Sequence, residues 1–434
     1  MKSTALLRRH ILAHRASVCV FGQGHVGLTL ACAAAVTGFS VTFIDTDEAR
    51  VEELGRGGLT VPGVKEEAFE AAIATGRATF TSRTDVLKEG EVILICVPTP
   101  IRGGIPDLTL VEEASKHVAR YLHPGQLVVL ESTSYPGTTD GVVRPLLEAS
   151  DLKADSDFLL ACSPERTEQA SPAYGLSSTP KVVGGLTPEA TGAAALFYRQ
   201  LVDEVVVVSS CRAAEMARLL EDTFRQVNVA LVNEMAMLCH DVGIDAWEVV
   251  EAAQAKAFGF TPFHPGPGDA GHFLPLDGQV AGAAGGGAPR QFRILELAHD
   301  INDRMPGYVA RRIWEAMNER DKAVQSPSVL VLGIAYKADD GDVRQSPSLK
   351  IMAHLSREGA RISFHDPHVS TVPMNGRILS RTELTRRAVI EADCVALLTP
   401  HRAYDLDWIA QHASLVFDAR NAYGAERRSN VVRL

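Results

Sequence analysis

Ser17-Val18-Cys19-Val20-Phe21-Gly22-Gln23-Gly24-His25-Val26-Gly27 runs directly into the Ala-rich stretch of residues 28–38. A short apolar, β-branched run, three spaced glycines and a helix-forming segment read as strand, tight turn and helix. Each glycine has its own task. Gly22 makes the turn, Gly24 lets the backbone approach a pyrophosphate, and Gly27 lets helix and strand pack closely. His25 and Val26 lie where the helix begins, and the free N–H groups and positive dipole there suit phosphate oxygens. Asp45 ends the next apolar run, residues 40–44, where it would accept a hydrogen bond from a ribose 2′-hydroxyl and repel a 2′-phosphate. Together they predict a dinucleotide site that takes NAD in preference to NADP.

Outward from this turn, apolar runs at 92–97, 127–131, 158–162, 181–183 and 204–208 alternate with helical stretches. That alternation implies a mostly parallel sheet with helices on both faces. From Ala213 to about Ala253 the pattern changes: helical spacing runs for nearly thirty residues, with Gly243 as a stop, and such a helix spans roughly 40 Å. A Pro/Gly-rich, aromatic loop follows at 258–273, and the most linker-like segment lies at 281–290. Strand-then-turn patterning returns at 329–333, then at 361–366, 395–399 and 414–420, without a second Gly-rich fingerprint. The expected fold class is α/β: two Rossmann-like doubly wound domains joined by a long central helix. The expected divisions are 1–210 for dinucleotide binding, 211–310 for the central helical region and its loop, and 311–434 for the second α/β domain.

Composition sets the bounds. The 434 residues are too many for one ordinary domain. Hydrophobic residues at 46% and charged residues at 22% describe a globular chain, not a disordered one. A formal charge of −10 without a basic block argues against nucleic acid or an anionic membrane as partner. No apolar run reaches the roughly 18 residues of a membrane span. Residues 1–17 are basic, but their apolar pieces are too broken for a signal peptide. The seven cysteines are scattered through apolar runs without CxxC spacing, which reads as reduced thiols in a cytoplasmic protein with no metal site.

Several further motifs then converge: CVPTP (96–100), ESTSYPGTT (131–139), SPER (163–166), KVVGG (181–185), AEMARLLEDTFRQVNVALVNE (214–234), FGFTPFHPGPGDAGHFLPLD (258–277), LGIAYKADDGDVRQSPS (332–348) and DARN (418–421). From about residue 16 to the C-terminus, in order, the chain resembles the UDP-glucose/GDP-mannose dehydrogenase family. The wording of its motifs looks most like the UDP-N-acetylglucosamine 6-dehydrogenase branch. The resemblance implies an NAD domain, a helical dimer region and a nucleotide-sugar domain, working as a homodimer that oxidises C6 of a UDP-sugar twice with two NAD. It implies that Pro98, Thr99 and Thr133 border the cofactor, and that Thr133 and Glu165 lie near the sugar C6 and its water. Asp277 matches the family's catalytic aspartate, with a turn cap as the plainer role. Lys337 and Arg344 match motifs of the sugar-binding half and would face diphosphate oxygens, unless they are simple surface charges. Asn233 and Phe260 match residues that hold the nucleotide-sugar; His272 is as readily structural as functional.

Three positions depart from the family pattern. The family's second oxidation uses a cysteine thiolate, where this chain has Phe273. The family's Lys and Asn, which stabilise a C6 oxyanion, are replaced by Arg218 and Asp222. Positions 218 and 222 share one helix face, so these two can pair, as an ordinary exposed ion pair would. Three readings follow: a single hydride transfer to an aldehyde or ketone, a binding protein or partner subunit without net chemistry, and full oxidation to a uronic acid through the hydrated aldehyde.

Overall fold

The computed structural model describes residues 2–434 apart from 60, 62, 103–104, 168–174, 269–291, 321–325 and 345. The linker-like stretch 281–290 and the positions of His272, Phe273 and Asp277 therefore lie outside the described residues. The chain forms two compact units, Met1–Asp222 with Leu274–Phe292, and Thr223–Phe273 with Arg293–Leu434. Where three segments are expected from sequence, the division between these two falls inside the long central helix.

The first unit is built on strands β1 (Ser17–Phe21), β2 (Ser40–Ile44), β3 (Ala78–Thr81), β4 (Val92–Ile95), β5 (Leu127–Leu130), β6 (Leu159–Cys162), β7 (Lys181–Gly185) and β8 (Val205–Val207). They form one sheet in the order β8-β7-β6-β5-β4-β1-β2-β3. The run 3-2-1-4-5-6 within it is the dinucleotide-binding order, whose direction reverses between β1 and β4. Val18 and Val20 of β1 join one apolar cluster while Cys19 and Phe21 join another, and Val92 and Leu94 of β4 part in the same way from Ile93 and Ile95. Side chains alternate across a strand, so both faces of this sheet are core. The unit's helices include α1 (Lys2–Leu12), α2 (His25–Thr37), α3 (Pro188–Tyr198) and the start of α4 (Cys211–Asp241). Leu7 and Ile11 of α1 are buried in the same cluster as α3. The basic N-terminus is thus a packed helix, which its broken apolar pattern does not announce.

Within this eight-stranded sheet one pairing departs from the parallel rule. β7 runs antiparallel to β6, with Ala161 opposite Gly185 and Cys162 opposite Gly184. Hydrophobic periodicity does not encode strand direction, so the reversal is invisible in the sequence.

The second unit has strands β9 (Ser328–Leu332), β10 (Arg361–His365), β11 (Cys394–Leu397), β12 (Val416–Asp418) and β13 (Val431–Arg433), ordered β10-β9-β11-β12-β13 and all parallel. This is the 2-1-3-4-5 arrangement, and its crossover point lies between β9 and β11. Helices α5 (Arg293–Asn318) and α6 (Pro347–Arg357) belong to this unit. All seven cysteines are unpaired and buried. Among the described residues no helix is long and apolar enough to cross a membrane.

Candidate functional site

In open α/β sheets, ligands bind beyond the carboxyl ends of the strands, at the point where strand order reverses. In the first unit that point is the turn after β1, facing the end of β4. Gly22 has φ +99°, and a Cβ there would sit 2.7 Å from the Cys96 carbonyl oxygen. A Cβ at Gly27 would lie 1.8 Å from the Gly22 carbonyl oxygen, so the helix can approach the turn only without a side chain. Around Gly24 the space is open: nothing lies within 4 Å of where its Cβ would be. Gly24 caps α2 without a side-chain bond, leaving the first helical N–H groups to a ligand. An open cradle above an uncapped helix fits a pyrophosphate. Asp45 is held at the end of β2, its Oδ2 accepting the Gln23 N–H at 2.8 Å and its Oδ1 the Asp47 N–H at 3.0 Å. Val26 packs against the core, and His25 is half-buried beside it.

Thr99 donates its hydroxyl to the Thr133 carbonyl oxygen at 2.7 Å, which joins the loops after β4 and β5. Pro98 is exposed on the same loop. Beyond β6, Glu165 Oε1 accepts the N–H groups of Arg166 at 2.8 Å and Thr167 at 2.5 Å. Its Oε2 lies 3.6 Å from Lys181 Nζ. That cation and these donors outweigh burial and hold Glu165 down at about 2, so it is a carboxylate at neutral pH. Arg166 grips Glu221 on α4 through two guanidinium nitrogens, Nε at 3.0 Å and Nη2, and so ties the SPER loop to the helix that carries positions 218 and 222. One turn earlier, buried Glu215 accepts N–H groups from Gly137 at 2.6 Å and Thr139 at 2.9 Å. Arg218 Nη2 lies 3.1 Å from Asp222 Oδ1, and the Asp222 side chain is only 4% exposed. Arg218 and Asp222 thus form a largely buried ion pair, not the exposed one.

The second unit carries the other candidates. Asn233 is fully buried: its Oδ1 accepts the Gly266 N–H at 2.9 Å and its Nδ2 donates to Asn302 Oδ1 at 2.9 Å. It anchors the FHPGPG loop. Phe260 is exposed on that loop. Arg344 donates to both oxygens of Asp342, through Nε at 2.9 and 3.1 Å and Nη2 at 2.6 Å, so its charge is already partly matched. Lys337, half-buried, follows Tyr336 on the loop after β9.

Sequence reasoning quoted DARN but gave its arginine no role. Arg420 pairs with no carboxylate among the described residues, and burial pulls it down to about 10. A Cβ on Gly266 would come within 2.5 Å of Arg420 Nη1, which places the FHPGPG loop against this cation. A half-buried guanidinium with no carboxylate partner, its Nε donating to the Leu398 carbonyl oxygen at 3.3 Å, suits an anion.

Asp366 ends β10 as Asp45 ends β2, but it is sealed. It accepts N–H groups from Ile334 (2.8 Å), Ala335 (2.9 Å) and His368 (2.9 Å), and His401 Nε2 lies 3.0 Å away. Burial opposes its charge, but these donors, His401 foremost, hold it down at about 2. With no exposed surface it cannot serve a second ribose. Asp339, His368 and His401 bring ligand atoms within 4.8 Å of one another. Yet His401 Nδ1 already accepts the Asp339 N–H at 2.9 Å, and its Nε2 faces Asp366. Both ring nitrogens are committed, so the cluster is a clamp on the loop after β9 and not a metal centre.

Family models match three successive stretches: the NAD-binding domain at residues 16–202, the central domain at 212–304 and the UDP-binding domain at 330–425. A UDP-N-acetyl-D-mannosamine dehydrogenase from Pyrococcus horikoshii is 30% identical over 93% of this chain and 95% of its own length. An NDP-N-acetyl-D-galactosaminuronic acid dehydrogenase from Ralstonia solanacearum is 30% identical over 95% and 97%. Among solved structures, a UDP-D-ManNAc dehydrogenase from Pyrococcus horikoshii superposes with TM-score 0.85 at 29% identity, covering 96% of this chain and 98% of that one. The chain belongs to the UDP-glucose/GDP-mannose dehydrogenase family. Its cofactor is NAD, and its C-terminal α/β segment is the family's UDP-binding domain.

Proposed function

We propose that this protein oxidises a UDP-linked sugar, a 2-acetamido sugar by analogy with its relatives, by a single hydride transfer that stops at the aldehyde or ketone. The reading rests on the Arg218–Asp222 pair, which stands where the family has Lys and Asn, together with Phe273 in place of the thiol. NAD, when bound, accepts the hydride. Gly22, Gly24 and Gly27 admit the pyrophosphate to the N-terminus of α2, and Asp45 faces the ribose. Ionised Glu165 takes up the alcohol proton, directly or through water, with Thr133 beside it and Asp277 as a second base. Arg218 supplies positive charge to the developing oxyanion, tempered by Asp222. Phenylalanine has no lone pair with which to capture an aldehyde, so the thioester route to the acid is closed. In the UDP-binding domain Arg420, Lys337 and Arg344 face the diphosphate, while in the central domain Asn233 holds the loop and Phe260 lies against the sugar-nucleotide.

A homodimer is part of the proposal. Leu231, Met235 and Leu238 of α4, with Val242 just beyond it, are 54%, 39%, 53% and 59% exposed at the spacing of one helix face. A cytoplasmic setting suits the seven unpaired thiols.

The deciding experiment incubates pure protein with NAD and a panel of UDP- and GDP-sugars, counting NADH and weighing products with an aldehyde trap present. One NADH per sugar and a trapped carbonyl product support the reading. Two NADH with a uronate, or binding without turnover, would each refute it. The second of these favours a non-catalytic partner subunit.

A further inference from the structure

We propose that Lys181 is a positioning residue that fixes the Glu165 carboxylate, in place and ionised, from inside the sheet. This rests on reading Glu165 as a site residue. Because β7 runs antiparallel to β6, the register Cys162–Gly184, continued three residues, sets Lys181 opposite Glu165. A parallel β7 would have carried Lys181 to the other end of the sheet.

The lysine side chain is 3% exposed. A buried ammonium is tolerated only when paired and hydrogen-bonded. Its Nζ donates to Glu131 Oε2 at 2.6 Å and to the Ser163 carbonyl oxygen at 3.3 Å, and lies 3.6 Å from Glu165 Oε2. Tyr198 donates its hydroxyl to Glu131 Oε1. One cation therefore serves two carboxylates, and their environments push them apart. Glu131, with no exposed surface, is lifted by burial to about 7, whereas Glu165 stays near 2. Among the described residues the Cys96, Cys162 and Tyr198 side chains also face the cluster, all raised by burial and therefore neutral, and the Arg166 guanidinium beside it is taken up by Glu221 and the Pro180 carbonyl. Oε1 of Glu165 is held by two backbone N–H groups and the Thr167 side chain also bonds the carboxylate, while Lys181 is the cation beside Oε2 among the described residues. A lysine that merely filled a buried ion pair would need Glu131 only.

The test reads Glu165 directly. Infrared spectra against pH are recorded for wild type, Lys181→Met, Lys181→Arg and the double variant Glu131→Gln/Lys181→Met, each with and without Glu165→Gln to assign its band. The double variant removes both buried charges together and so guards against misfolding of the single one. In wild type and Lys181→Arg no protonated Glu165 band is expected at about pH 4. In both methionine variants the midpoint rises by about one to three pH units, bringing the band into view. A Glu165 midpoint unmoved in the methionine variants overturns the proposal. In the turnover assay the acid limb of the pH–rate profile should move with it, and Lys181→Arg should restore it, while KM for NAD stays put. If wild type makes no NADH from any sugar, the functional reading falls, but the infrared titration still decides Lys181.

Discussion

At the scale of single residues, the proposed departure from the family's pattern lies at Arg218, Asp222 and Phe273, and the first two of these are coupled. Asp222 brings a negative charge onto α4 and Arg218 meets it one turn away, so neither substitution acts alone. Phe273→Cys by itself is therefore expected to yield no uronate. The triple variant Phe273→Cys/Arg218→Lys/Asp222→Asn should yield a second NADH per sugar, and product mass spectrometry on both variants checks the pair of outcomes. Asp366 carries a different prediction. Its folded pKa of about 2 is below the ordinary value of 3.8, so its contribution is fully present above about pH 4 and disappears as pH falls toward 2. Asp366→Asn should cost about 2 kcal/mol or more at pH 7, with the gap to wild type narrowing in acid. Denaturant titrations at several pH values measure this.

At the scale of elements, the contrast between two glycines of one turn is sharp. Gly27→Ala would drive a methyl into the Gly22 carbonyl and push α2 from β1, while Gly24→Ala meets nothing in the protein. Both should weaken NAD binding by about ten-fold or more, but only Gly27→Ala should also lower Tm. Fluorescence titration with NADH and a melting curve separate them. The same turn explains what was legible. Its glycines, the acid at the end of β2 and the long periodic run of α4 are local signals, and local signals survive in sequence. β3, β13 and α1 went unread because their apolar patterns are short or interrupted. The Lys181–Glu165 juxtaposition was hidden for another reason: it depends on strand direction and register. Arg420 was visible in DARN, but its value comes from the loop that lies against it and from the acid it lacks.

At the scale of the whole molecule, the exposed stripe on α4 makes assembly a measurable matter. Leu231→Glu/Leu238→Glu should convert a dimer to monomer in sedimentation velocity, with helical circular dichroism unchanged. A dimer that survives both charges would move the interface elsewhere. The burial of every cysteine has a practical consequence. A maleimide therefore finds little access to any of them, and at Cys19, Cys32 and Cys394, pushed up to about 12 by burial, it also finds no thiolate. Fluorescent dyes can therefore be attached without first stripping out native thiols. One cysteine at Arg83, whose side chain is 74% exposed, and one at Phe258, 75% exposed, would label each unit once. Single-molecule energy transfer between the two dyes would then report whether the distance between the labelled sites changes when NAD or a UDP-sugar is added.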